Sequence, residues 1–241
     1  LATILATAFD WIWVEHLSIG GWQNGACNEL LRSPKFLELN SLGFSFNFNG
    51  ANRALPLSES RFLSNLKHLH IFGFRNGDEL LRQLSQSSSL NSLRFLEFGG
   101  TNIGRRGART FAESKQWANL RVCSFYRNHF TDSALSEFTH GRLKLRLESL
   151  DLRDGLYTDR GLVFLSSSDR FPNLRKLRIG YTENLDDPSP VFGPFGVETL
   201  LNAASFKLER LQVQIISHLP VPRDILELVD RYPDRLFVPI L

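Results

Sequence analysis

The sequence predicts an α/β solenoid: strand–helix units stacked side by side, all strands parallel, with the helices on the other face of the sheet. Three observations carry this. Leu66, Leu93, Leu120, Leu147 and Leu174 stand 27 residues apart. Three residues after each comes Leu69, Leu96, Cys123, Leu150 or Leu177, and two further on Ile71, Phe98, Phe125, Leu152 or Ile179. A later stretch of each unit, such as "TDSALSEF" (131–138) or "TDRGLVFL" (158–165), opens on Thr-Asp and then carries apolar residues at helical spacing. Self-similarity at a fixed period marks a repeat architecture and outranks any local reading of helix or strand.

Within a unit, the last two apolar positions of Leu-x-x-Leu-x-Leu are two apart and so share one face of a short strand. Leu63, Leu90, Trp117 and Phe171 extend the register before the strand, with Lys144 the polar exception. Asn128 stands where a buried amide would close the turn after the strand; Phe74, Thr101, Gly155 and Thr182 hold that place elsewhere. Thr131 and Thr158 suit helix N-caps, and Leu84, Phe111, Phe138 and Leu165 form the helix column. A strand and a helix every 27 residues require parallel pairing. No unit buries its apolar face alone; its neighbours complete the core.

Outside the regular region at 63–185, three units are irregular. "VEHLSIGGWQN" offers Val14, Leu17 and Ile19; "FLELNSLGF" offers Phe36, Leu39 and Ser41; "LERLQVQII" offers Leu208, Leu211 and Val213. The expectation is about eight strands, centred on residues 17, 39, 69, 96, 123, 150, 177 and 211. Insertions are expected at 43–61, rich in Phe and Asn, and at 183–196, rich in Pro, Gly and Asp. Residues 1–219 form the repeat domain in this reading, and 220–241 a cap on the last strand edge. Leu5 and Trp11 match the back half of a unit whose strand is missing, and the chain contains no methionine. The expectation is a native chain extending upstream, with further N-terminal domains.

These features resemble the leucine-rich repeat family, specifically its ribonuclease-inhibitor-like subclass; "LRVCSFYRNHFTDSALSEF" (120–138) is the closest single copy. The resemblance implies a horseshoe with a parallel concave sheet and convex helices, and a concave face that binds protein. It implies a sensor or adaptor module, not an enzyme.

Composition fits this. A chain of 241 residues, 42% hydrophobic, supports a sizeable core. The net charge of +3 gives no whole-chain case for nucleic acid, although a pI near 9.0 admits an acidic partner. No apolar run reaches membrane-spanning length, and no Asn-x-Ser/Thr acceptor occurs, which points to an intracellular, cytoplasmic protein. Cys27 and Cys123 fall in repeats too far apart for a disulfide, and Cys123 sits in a core column. No cofactor, metal or catalytic residue is expected. His68 and His70 share a strand face without a third ligand, Asp151 and Ser124 lack an oxyanion loop, and "GGTNIGRRG" (99–107) lacks the Gly-Lys-Ser/Thr of a phosphate loop.

The candidate site is the strand face away from the core. Its columns read Phe72, Gly99, Tyr126, Arg153, Gly180; His70, Glu97, Ser124, Asp151, Arg178; and His68, Phe95, Val122, Ser149, Lys176. With the flanking columns (Lys67, Arg94, Arg121, Glu148, Arg175 and Gly73, Gly100, Arg127, Asp154, Tyr181), eight Lys/Arg oppose four Asp/Glu, so this face concentrates the positive charge. Phe72, Phe95, Tyr126, Arg153, Arg178 and Tyr181, with His70, Glu97 and Asp151, are the expected partner-binding residues, because rigid aromatics and arginines dominate binding hot spots. The alternative is an acidic ligand, nucleic acid or another polyanion, on the basic columns.

Overall fold

In the computed structural model, residues 15–20, 31–46, 57, 60–128, 130–182, 192–216 and 221–239 are described. Nine strands form one sheet in chain order, every pair parallel. They are β1 (His16–Gly20), β2 (Ser41–Ser45), β3 (His68–Phe72), β4 (Phe95–Gly99), β5 (Val122–Ser124), β6 (Ser149–Asp151), β7 (Lys176–Thr182), β8 (Arg210–Ile216) and β9 (Leu236–Phe237). Six α-helices among the described residues alternate with the later strands: α1 (Gly77–Ser85), α2 (Arg105–Glu113), α3 (Asp132–Thr139), α4 (Asp159–Ser166), α5 (Pro194–Leu201) and α6 (Arg223–Arg231). Through α5 each helix lies against the next, as the strands do. This is an α/β solenoid built on one parallel sheet.

The core lies between the sheet and the helices. Leu69, Leu96, Cys123, Leu150 and Leu177 stand in register and are buried, as are Ile71, Phe98, Phe125, Leu152 and Ile179. A spine of rings continues it: Phe111 packs on Trp117, Phe125 and Phe138, and Phe138 on Phe171, at centroid separations of 5.2–5.5 Å. Lys144 is not a gap in the pattern. It turns outward to Asp169 at 3.2 Å while the next residue, Leu145, takes the core place.

The second unit differs from the sequence expectation. Its strand is not centred on Leu39; Leu42 pairs with Leu69 and Phe44 with Ile71. The correct reading is Leu39-x-x-Leu42-x-Phe44, all three buried, three residues later than Phe36-x-x-Leu39-x-Ser41. The polar Ser41 in an apolar column carried the signal. Leu42 and Leu69 are 27 apart, so the insertion expected at 43–61 falls within one regular repeat spacing; residues 47–56, 58 and 59 lie outside the described residues. At the far end the sheet gains a ninth strand: Leu236 and Phe237 pair in parallel with Leu211 and Gln212. Residues 1–14, with Leu5, Trp11 and Val14, and 21–30, with Cys27, lie outside the described residues, as do 183–191.

Strands β3 to β6 each leave through a left-handed residue at the same phase: Gly73, Gly100, Arg127 and Asp154, with φ of 75°, 58°, 55° and 58°. The turn behind it is closed by Asn128, which is 1% exposed. Its Oδ1 accepts from Thr101 N, Thr101 Oγ1 and Ile103 N, and its Nδ2 donates to the carbonyls of Phe98, Phe125 and Tyr126. One repeat later the position is Gly155, and the buried hydroxyl of Tyr157 substitutes, donating to Leu152 O at 2.8 Å. A Cβ on Gly155 would stand 2.4 Å from that ring. The helices start as the Thr residues predict: Thr131 Oγ1 accepts from Ala134 N and Thr158 Oγ1 from Arg160 N.

Candidate functional site

Strand alternation puts odd members of each strand on the side away from the helices, here called the open face. The register assembles the expected columns across β3 to β7: His68, Phe95, Val122, Ser149 and Lys176 in one, His70, Glu97, Ser124, Asp151 and Arg178 in the next. Arg210 and Gln212 extend both onto β8.

The aromatic end lies over β3 to β5. The rings of Phe72 and Tyr126 stack across β4, with centroids 6.0 Å apart and planes 21° from parallel. Gly99 makes this possible, because a Cβ there would stand 2.4 Å from Tyr126 Cε1 and 2.8 Å from Phe72 Cδ2. The sequence showed a glycine in the column, but not that two rings close over it. His68 lies flat on Phe95 at 4.1 Å, and His70 Nδ1 faces Glu97 at 3.4 Å. Burial is the main cause that lowers the His68 pKa below its ordinary 6.5, helped by His70, His16 and Lys67. Burial likewise raises the Tyr126 hydroxyl, with Glu97 adding to it. Phe72, Phe95 and Tyr126 are thus half-buried platforms, not free-standing rings.

The charged end lies over β6 to β8. Arg153 grips Asp151 with Nε at 2.9 Å from Oδ1 and Nη2 at 2.6 Å from Oδ2, a bidentate pair. Its Nη1 donates to Gln214 Oε1 on β8 at 2.5 Å, reaching across β7. Gly180 leaves the room: a Cβ there would stand 3.1 Å from Gln214 Cβ and 2.2 Å from its carbonyl oxygen. The glycines at the second and fifth places of this column therefore let the side chains on either side of each meet. Arg178 adds a looser contact to Asp151, at 3.6 Å. The hydrogen bonds to Asp151, with the charges of Asp151 and Asp154 adding to them, raise the Arg153 pKa, so its charge is fixed at any physiological pH.

The flanking columns contribute less than their charges suggest. Arg121 pairs with Glu148 and Arg175 with Glu209 across neighbouring strands. Arg94 donates to Asn119 O, and Arg127 faces Asp154 at 3.9 Å. The backbone of Tyr181 pairs with Ile215, two places beyond Ile179 along β7; its side chain lies outside the described residues.

"GGTNIGRRG" starts α2, and its amides already have an acceptor: Asp78 Oδ1 takes hydrogen bonds from Gly104 N at 2.8 Å and Gly107 N at 2.9 Å. A carboxylate of the protein itself occupies the place a phosphate would need. Cys123 is fully buried, which pushes its thiol pKa well up and makes it a core residue. Among the described residues no three His, Cys, Asp or Glu side chains converge as a metal site, and no helix is long and apolar enough to cross a membrane.

No family model matches the sequence, and no curated protein does. Two of the solved structures similar to the chain resemble it in fold. One is a chain of the Rad7–Elc1 complex of yeast, with a TM-score of 0.47 and 19% identity over 83% of this chain and 56% of that one. The present chain thus spans little more than half of its length. The other is the internalin inlF of Listeria monocytogenes, with a TM-score of 0.34 and 14% identity over 95% of this chain and 87% of that one.

Proposed function

We propose that the chain is a non-catalytic protein-binding module that recognises its partner through the open face of the sheet. In this reading residues 1–219 are a leucine-rich repeat domain of the ribonuclease-inhibitor-like subclass, curved as a horseshoe with the open face concave. Residues 220–241 complete it: α6 and β9 cover the edge of β8. The module serves as a sensor or adaptor inside the cell.

One observation carries the proposal. Phe72, Tyr126, Arg153 and Gln214 form two bridged pairs along a single column, set over Gly99 and Gly180. These are side chains of hot-spot chemistry held rigid before any partner arrives, and pre-ordering lowers the entropy cost of association. Nothing in the fold requires aromatic rings on a solvent-facing sheet.

The test is affinity for the natural partner after Tyr126→Ala and Phe95→Ala, each with thermal unfolding measured alongside. Arg153 is unsuited to the first test, since removing it strands the nearly buried Asp151 carboxylate. The proposal expects at least a tenfold rise in Kd for each, about 1.4 kcal/mol, with an unchanged midpoint. Unchanged affinity in both variants, with loss on substitution within 183–191, would move the site to that segment.

A further inference from the structure

We infer that the charged end of the open face is a receptor for an acidic segment of a protein, one with carboxylates at alternate positions of an extended strand. The inference deepens the proposed function and rests on it.

Ser149, Lys176, Leu177, Arg178, Arg210 and Gln212 line a depression of about 340 Å3 on the sheet. Lys176 stands opposite Arg210 in the register, roughly one strand spacing of ~4.8 Å away. Arg178 lies two places along the same strand and on the same face, ~6.6 Å from Lys176 along the backbone. The three cations are poorly neutralised. Lys176 and Arg210 make no ion pair among the described residues, and Arg210 instead lies 4.8 Å over the ring of Phe237. Arg178 has only the 3.6 Å contact to Asp151, whose two oxygens are already held by Arg153. Two acids on the neighbouring strand entries are committed elsewhere, Glu148 to Arg121 and Glu209 to Arg175.

The spacing selects the ligand. In an extended peptide, side chains at i and i+2 project from the same face ~6.6 Å apart, matching the step from Lys176 to Arg178. Arg210 sits beside the first of these and turns a single contact into a two-cation clamp. A nucleic-acid strand fits less well, because its phosphates need a continuous cationic track. On β3 to β5 the same two columns read His68, His70, Phe95, Glu97, Val122 and Ser124, without a lysine or arginine.

The test uses fluorescence anisotropy with three labelled probes: a (Glu-Ser)4 peptide, a (Lys-Ser)4 peptide and an eight-nucleotide oligothymidine. The protein is the full chain, as wild type, as Lys176→Ala/Arg210→Ala, and as Arg109→Ala, which removes a cation from helix α2 on the other side of the sheet. The inference expects the glutamate peptide to bind the wild type best, to weaken at least tenfold in the double variant and to keep its affinity in Arg109→Ala. Circular dichroism confirms that each variant is folded. Equal binding of the glutamate peptide to wild type and double variant would overturn it, as would no binding to the wild type. Tighter oligothymidine binding lost in the double variant would overturn it in favour of nucleic acid. If the natural partner still depends on Tyr126 and Phe95 in any of these cases, the open face stands as the partner surface and only the acidic ligand falls.

Discussion

The carboxylate of Asp78, in the first turn of α1, accepts a hydrogen bond from the backbone amide of Gly107 in α2 at 2.9 Å. The same device recurs. Asp159 of α4 accepts from Gly193 N and Gly196 N at the start of α5, and Asp132 of α3 accepts from Thr158 N and Thr158 Oγ1 at the start of α4. A Cβ on Gly107, Gly161 or Gly196 would stand 2.4–2.6 Å from the preceding aspartate oxygen. Residues 78, 105, 132 and 159 share one repeat phase, and Arg105 breaks the series by turning to Glu137. The residue that would face an aspartate there is Ala134, not glycine. Where the carboxylate is absent, the methyl group is accommodated.

This pairing predicts a reversed propensity. Alanine is normally the better helix former by about 1 kcal/mol, yet Gly107→Ala and Gly196→Ala should each destabilise the fold by ~1–3 kcal/mol, because the amide loses its acceptor or the carboxylate must move. Chemical denaturation would measure it, with Ala134→Gly costing no more than about 1 kcal/mol as the propensity reference. A stabilising Gly107→Ala would show that the close approach is not binding.

Asn128 offers a sharper loss. Replacement by alanine leaves the amides of Thr101 and Ile103 and the carbonyl of Phe98 buried without their partner, a cost of ~3–5 kcal/mol. Asn128→Asp should fail as well, since its second oxygen would face the carbonyls of Phe98, Phe125 and Tyr126 where Nδ2 now donates. If Asn128→Asp unfolded at the wild-type denaturant midpoint, the hydrogen-bond assignment would be wrong.

His68 makes stability depend on acid. Its pKa in the folded chain lies below the ordinary 6.5, so between those values the unfolded chain binds more protons. Stability therefore rises with pH through that window and is lost as the pH falls below about 6.5. Melting temperatures at pH 7.5 and 5.5 should drop more for the wild type than for His68→Gln. Equal drops would mean that protonation of His68 is not what the fold resists.

The repeat itself was legible because one inward leucine position recurs unchanged from Leu66 to Leu174. The start of the chain was harder. "FLELNSLGF" contains two overlapping apolar triplets, and only pairing with Leu69 shows that the later one faces the core. The ninth strand was hidden for a different reason: two residues are too short to display a period. At the site, strand alternation set Phe72, Phe95, Arg178, His70, Glu97 and Asp151 in the expected register columns, with Tyr126 and Arg153 just beyond β5 and β6. At the phase of Tyr181, β7 runs on to Thr182 as regular strand, whereas the earlier units turn left-handed there. The Phe72–Tyr126 stack and the Arg153–Gln214 bridge join residues 54 and 61 apart in the chain, over intervening glycines. Such pairs leave no local pattern, since the missing side chain is what unites them.

The claim that the open face receives a protein is tested most directly by placing a photo-crosslinking p-benzoylphenylalanine at Val122, in the middle of that face, or at Ser136 on helix α3. The full chain is irradiated in an extract of the cells that naturally make it. The account predicts a discrete protein adduct from position 122 that disappears when Tyr126→Ala is added, and none from position 136. An adduct at 122 indifferent to Tyr126, or a specific adduct from 136 alone, would contradict it.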